Sequence, residues 1–321
     1  MKGFDPKFKD FPDYIIGITK EIWEDRKIAT LHDYYAKDIV VRSPASIVTG
    51  NEGVIAATMA TLAEFPDRTL LGEDVIWSGD PDAGMLSSHR IISQATHSGD
   101  GVYGRASGTR LEYRIIADCH AKNNAIDDEW LIRDQGAIVR QLGWDPKDYA
   151  ANMIETAPRL PEPLTPDRDR AGPYKGHGND NAHGTRLADL LNRIMSADMA
   201  AIPEAYDRAA TLHYPGHVQA HGREAADRFW MGLRASFPDA EFNLDHIIGR
   251  EDEGMPPRAA VRWSLWGRHS GWGAFGAPTG AMVYVLGATH VEFGPWGLRR
   301  EWTLYDETAI WTQILLHERS T

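Results

Sequence analysis

Apolar positions along the chain switch between two periods. Ile15, Ile18, Ile22, Leu31 and Tyr35 recur at helical spacing, and Leu187, Leu190, Ile194 and Ile202 do so after Thr185, a residue type suited to an N-cap. A second helix is predicted from Val54 to Leu62 and its counterpart from Ala225 to Leu233. Alternation then predicts strands at about 70–78, 85–97, 109–121 and 126–142, and again at 242–250, 258–269, 281–293 and 298–315. Each half reads as helix, short strand, helix and a long antiparallel meander. That order predicts an α+β domain whose curved sheet folds over its helices.

The two sets of elements are copies. HSGDGVYGRASG at 97–108 returns as HSGWGAFGAPTG at 269–280, so His97 becomes His269, a shift of 172 residues. The same shift carries Phe65-Pro66-Asp67 to Phe237-Pro238-Asp239, Glu129-Trp130 to Glu301-Trp302, and Asp134 to Asp306. A register held this long describes a duplicated domain rather than a solenoid unit. The expected division is 1–145 and 185–321, joined by a linker over 146–184 that holds Pro146, Pro158, Pro161, Pro163, Pro166 and Pro173 and the polar run GHGNDNAHG. The two sheets are expected to pack together as an intrachain pseudo-dimer, which leaves room for a further homodimer.

Composition narrows the function classes. The 321 residues carry a formal charge of −12, which disfavours nucleic acid and anionic membranes as partners. Cys119 is the only cysteine, so no intrachain disulfide forms. No apolar leader or run long enough to span a bilayer is visible, and a cytoplasmic location is expected.

Two motifs are set aside on context. Gly99, Gly101 and Gly104, and Gly271, Gly273 and Gly276, spell G-x-G-x-x-G, but a strand rather than a helix is predicted after each, so a dinucleotide fingerprint is not expected. His213, His217 and His221 are interrupted by Pro215-Gly216, and His177 and His183 lie in a polar loop, so no metal is assigned.

Residues of one parity share a face of a strand. On 112–120 one face carries Arg114, Ile116, Asp118 and His120, and on 128–134 it carries Asp128, Trp130, Ile132 and Asp134. An acid and a histidine beside an apolar wall suit proton transfer from a weakly acidic carbon. The second copy places Leu286, Ala288, His290 and Glu292 opposite Trp302, Leu304 and Asp306. Its ionisable types are exchanged, unless the strand slides by two and pairs His290 with His120. His89 and His97 are further candidates on 85–97. Seven of the eleven tryptophans, among them Trp263, Trp266 and Trp272, fall in the second copy, where they serve either packing or ligand stacking.

From the Gly-rich connection at His97 to Gly143 the chain resembles the C-terminal half of the SnoaL-like polyketide cyclases, in the NTF2-like (cystatin-like) superfamily. The pattern is a strand carrying His, an acidic-Trp-x-x-x-Asp strand and a Gln-Leu-Gly ending, here Glu129, Trp130, Asp134, Gln141, Leu142 and Gly143. It covers roughly 14–145 and, more weakly, 186–316, which carries Glu292 and lacks the Gln-Leu-Gly ending.

The resemblance implies tandem α+β barrels and cofactor-free intramolecular aldol chemistry, and the chain is expected to act as a cyclase, isomerase or lyase on a small carbonyl compound. Asp134 would be the acid/base with His120 as its partner, and Asp306 and His290 would stand in those places in the second copy. Arg114, Asp118, Trp130, His89, Trp302 and Glu292 would contact a small apolar carbonyl substrate. The first copy is expected to hold the better-formed site. The alternative is a module of the same fold that binds a small ligand without turning it over.

Overall fold

The computed structural model describes residues 1–320. Asp10 caps α1 (Phe11–Thr19), accepting from the Asp13 amide, and Pro12 sits in the first turn where its missing N–H costs nothing. The helix ends in a π-turn over Lys20–Glu24, and its apolar face, Ile15, Ile18 and Ile22, is buried. A short helix, α2 (Leu31–Tyr34), leads into the hairpin β1 (Tyr35–Ser43) and β2 (Ser46–Thr49), followed by α3 (Asn51–Glu64). The meander is β3 (Thr69–Asp80), β4 (Gly84–Thr96), β5 (Arg110–Lys122) and β6 (Ala125–Arg133).

The chain reverses before β5 through paired hydrogen bonds between Gly101 and Gly104. Gly104 has φ +99°, a conformation that glycine adopts readily. No helix follows either glycine motif, as the sequence predicts.

The expected last strand, 126–142, is cut short. Asp134 caps a new helix, α4 (Gln135–Gln141), because its carboxylate takes the Ala137 amide at 2.9 Å and ends the ladder there. The linker is also partly helical, since Pro146 opens α5 (Pro146–Thr156) from the N-terminal position where proline is tolerated.

The second copy repeats the plan. Its elements are α6 (Ala182–Met195), α7 (Ala201–Ala205), β7 (Tyr206–Tyr214), β8 (Val218–His221), α8 (Arg223–Ser236), β9 (Glu241–Arg250), β10 (Arg258–Arg268), β11 (Met282–Gly294), β12 (Gly297–Tyr305) and α9 (Glu307–Ser320). Asn181, not Thr185, caps α6. Residues 307–315, expected within a strand, belong to α9.

Each sheet has six strands, in the orders β2-β1-β6-β5-β4-β3 and β8-β7-β12-β11-β10-β9. Both are mixed, since β1 runs parallel to β6 and β7 parallel to β12, and neither closes into a barrel. One face of each sheet wraps its own helices. The opposite faces meet, through Ile116 and Ile132 against Leu286, Ala288 and Leu304, with Trp130 and Tyr284 alongside. Helix α5 reaches across and packs on α9. Among the described residues no helix is long and apolar enough to cross a membrane.

Candidate active site

Two buried faces per sheet make parity decisive. On β5 the odd residues Ile115, Ala117 and Cys119 point into the first cone, and on β6 so do Glu129, Leu131 and Arg133. The even residues point at the other sheet. Most of the site residues expected from sequence have even numbers, so the structure places them between the two sheets or at its edge.

Asp118 pairs with Arg262 at 2.8 Å, and the Arg262 guanidinium lies 3.6 Å over Trp130, whose ring also lies 4.6 Å from Arg42. His290 is enclosed by Ser88 at 2.8 Å and Arg90 at 3.3 Å, and burial holds it well below the usual histidine range. Arg90 stacks 3.6 Å over Trp302, which is also stacked on His213. Arg114 forks onto Glu73 through two bonds of 2.9 Å, and Glu292 pairs with Arg300 at 3.4 Å. The strands β5 and β11 align without a gap, so His290 stands at the place of Asp118 and Glu292 at that of His120.

Asp134 and His120, expected as a catalytic pair, do not meet. They lie at opposite ends of the β5–β6 ladder, where Asp134 bonds Arg114 and His120 faces Asp128, a separation of about 20 Å at strand spacing. His120 is held by Asp127 at 2.5 Å and lies against Tyr174. Asp134 accepts the Ala137 amide at 2.9 Å, and its two oxygens take Gly216 and His217 at 2.8 and 2.9 Å. It fastens the β7–β8 turn of the second copy to the first. Burial raises its carboxyl to about 7 even against those amide bonds.

The first cone is open, with a cavity of about 230 Å³. That is below the roughly 300–1,000 Å³ of pockets for drug-sized ligands, so it suits a smaller molecule. Its walls are mainly apolar: Ile15, Ile18 and Trp23 from the N-terminal helix, Val54, Ala57 and Thr58 from α3, and Ile91, Ile115 and Leu131 from the sheet. The turn at Ala45 and Ser46, both exposed, borders it.

Within this apolar setting stand a few ionisable groups. Glu129 is buried, and burial raises its carboxyl to about 7 although Tyr35 hydrogen-bonds to it. His89 is buried, bonded to Ser87 at 3.1 Å, and burial lowers it to about 4, so its ring is neutral. One strand, β5, separates Glu129 from His89, and a two-residue offset along it sets their backbones about 12 Å apart, which leaves space for a ligand between their side chains.

Asp306 borders the same cavity from the other half of the chain. It accepts from the Thr308 and Ala309 amides and the Thr308 hydroxyl, and burial raises it to about 6. Of the expected site residues, then, the structure brings His89 and Asp306 to the cavity. In the sequence Glu129 stands out only as part of a motif and Tyr35 only as the end of a helical run, though it opens β1, while Arg68 and Arg133 carry no signal.

The second cone is filled. Where the first has Ala57, Thr58 and Ile91, the second has Phe229, Trp230 and Trp263, and the last two are fully buried. Gly287 stands opposite Trp263 because a Cβ there would lie 2.2 Å from the indole ring. Glu301, the counterpart of Glu129, accepts from Tyr206 at 2.7 Å, Tyr214 at 3.1 Å and Thr303 at 2.6 Å. The expected polar trough of the second copy is therefore part of the intersheet packing, and the interior behind it is solid.

The protein is similar to known ones in both halves. The family model for SnoaL-like polyketide cyclase matches residues 14–142 and 185–314. Among solved structures, IdmH, a putative polyketide cyclase from Streptomyces antibioticus, is 24% identical over 41% of this chain and 98% of its own, with a TM-score of 0.37. A putative SnoaL-like polyketide cyclase from Jannaschia sp. CCS1 is 19% identical over 42% and 96%, with a TM-score of 0.36. AclR, a putative hydroxylase from Streptomyces galilaeus, is 16% identical over 44% and 99%, with a TM-score of 0.35. No curated protein matches. With both copies matched over most of its length, the chain belongs to the SnoaL-like polyketide cyclase family, as two tandem copies.

Proposed function

We propose that the first cone is a cofactor-independent acid–base site acting on a small carbonyl compound, with Glu129 as the base. The observation that carries this is a buried glutamate, raised to about 7, on the wall of an apolar cavity. A base is most useful when its pKa lies near the working pH, and burial brings Glu129 there. It would take a proton from the carbon next to the carbonyl. The electron pair moves onto the carbonyl oxygen, which becomes an enolate, and the enolate carbon then attacks a second carbonyl or is reprotonated elsewhere. In the tautomer whose Nδ1 accepts from the Ser87 hydroxyl, the neutral His89 ring would present its Nε2–H to that oxygen. Asp306, raised to about 6 and bordering the same cavity, would return the proton as an acid.

The test needs no knowledge of the product. Small ketones and keto esters are incubated with the protein in D₂O, and α-deuteration is followed by NMR. Exchange above background that disappears in Glu129→Gln, with the fold unchanged by circular dichroism, supports the reading. Exchange that survives in that variant overturns it.

A binding module without turnover is the second reading. It is favoured by the glutamate's presence in both copies, since Glu301 has a purely structural setting. It predicts ligand affinity in the first cone and no exchange.

A further inference from the structure

Buried arginines in this protein almost all carry a carboxylate. Arg42 pairs with Asp128, Arg90 with Glu73, Arg258 with Asp74 and Arg262 with Asp118. Arg68 is the exception among the described residues: it is 7% exposed, has no ion pair, and its Nε lacks any partner. It borders the cavity together with Arg133, whose buried Nε is equally unpartnered and which forms no ion pair either. A buried guanidinium beside a half-buried one, with no counter-charge on either, is unfavourable in general, so such a pair persists where something else compensates it.

The only acidic side chains on the cavity wall stand apart from it. Glu129 lies four residues before Arg133 on β6, about 13 Å along the strand, and Asp306 holds its own helix end. Tyr113 is the neighbouring polar group. Burial alone would raise its phenol, but Arg68 and Arg133 outweigh burial and hold it below its ordinary value. The solid second cone supplies the control, because Ala240, Val285 and Tyr305 stand where Arg68, Tyr113 and Arg133 do, and no cation remains.

We infer that Arg68 and Arg133 form an anion subsite at the end of the first cone away from Glu129, and that the substrate is a small apolar carbonyl compound bearing a carboxylate. This deepens the proposed reading of the cone as a ligand site and rests on it. A carboxylate fits because guanidinium N–H groups meet its oxygens with charge-assisted bonds, and the apolar walls take the remaining skeleton. The strand distance sets the reach: the carboxylate sits at the arginines while the reacting carbon lies towards Glu129 and His89.

The test compares benzoate with methyl benzoate, which have the same ring and differ in charge, by titration calorimetry on the full chain. The expected result is benzoate binding at least about 10-fold tighter, falling to parity in Arg68→Met and in Arg133→Met. Removing an uncompensated buried cation should leave the melting temperature equal or higher in both variants, so misfolding does not obscure the comparison. Equal affinity of acid and ester in the parent overturns the subsite while leaving the cone as a ligand site. Binding of neither overturns the cone reading and the subsite with it. A tyrosinate absorbance at pH 7 that vanishes in Tyr113→Phe would show that the counter-charge is internal, and would also overturn the subsite.

Discussion

The two cones of this chain began as one domain and now differ in what fills them. In the first, buried apolar side chains form two separate clusters with the cavity between them; in the second they form one continuous cluster that includes Trp230 and Trp263. The neighbours of the shared glutamate have changed with the filling. Glu301 is surrounded by Tyr206, Tyr214, Thr303 and the Trp230 indole; β1 and β7 match one residue out of the general shift, since Val41 pairs with Glu129 and Leu212 with Glu301, so around Glu129 only the first tyrosine survives, as Tyr35, and the other places hold Ser43, Leu131 and Thr58. The lesson is that a buried carboxylate becomes a candidate base through the loss of its partners, not through its own identity. Duplication allows one copy to retain the packing while the other gives it up.

The comparison can be broken at several points. The largest effect is expected from Glu129→Gln, which should lower any exchange or turnover by roughly 10²–10⁴-fold, while Glu301→Gln leaves it unchanged and lowers the melting temperature. Side-by-side assays and thermal melts of the two variants measure this directly. Next, Trp230→Ala should destabilise the protein by about 3–5 kcal/mol, since it empties the middle of a packed core, and denaturant titration gives the value. Its mirror image, Thr58→Trp, should plug the first cone and remove ligand binding at a smaller loss of about 1–3 kcal/mol from overpacking.

A smaller effect concerns the seam between copies. Asp134→Ala removes an N-cap and the acceptor for the Gly216 and His217 amides, and should cost about 1–3 kcal/mol without abolishing turnover.

The smallest effect is in pH dependence. Glu129 is raised from 4.5 to about 7 in the folded chain. Its protonated form is therefore favoured by folding: the contribution to stability is full below about pH 4.5 and is lost as pH rises through about 7. Denaturant melts of Glu129→Gln should show a flatter decline across that window than the parent. Any activity that needs the ionised base should rise over the same interval.

Much of the fold could be read from the sequence because its signals are long. The duplicated glycine connections, the helical spacing of Ile15, Ile18 and Ile22, and the alternation in β3, β4 and β5 all survive into the structure. The pattern predicts too long a last strand in each half because a helix of mixed apolar and polar residues, such as 135–141, also satisfies alternation, and only the capping bond of Asp134 marks the end of the ladder. The proline density of 146–184 reads as extended linker, yet Pro146 stands at the first turn of a helix, where proline is tolerated.

The site was harder, for a physical reason. Alternation shows which residues share a face, but not which face looks inward, and both faces of these sheets are buried. The polar face, with Asp118, His120, Trp130 and Asp134, drew attention for its chemistry. In the structure Asp118, Trp130 and Asp134 join the two copies, and His120 packs at the edge of that seam against the linker's Tyr174. The signal that could have located the cavity lay in the comparison of copies, where small residues at Ala57 and Thr58 face Phe229 and Trp230 at the same register.

The central claim, that the first cone holds ligand and the second does not, is tested most directly by soaking crystals with a mixed set of small carbonyl compounds, some with a carboxylate. The account predicts density in the first cone beside Glu129 and His89, reaching towards Arg68 and Arg133, and none around Trp230. Density between the sheets at Asp134 or His120, or in the second cone with Trp230 displaced, would contradict it.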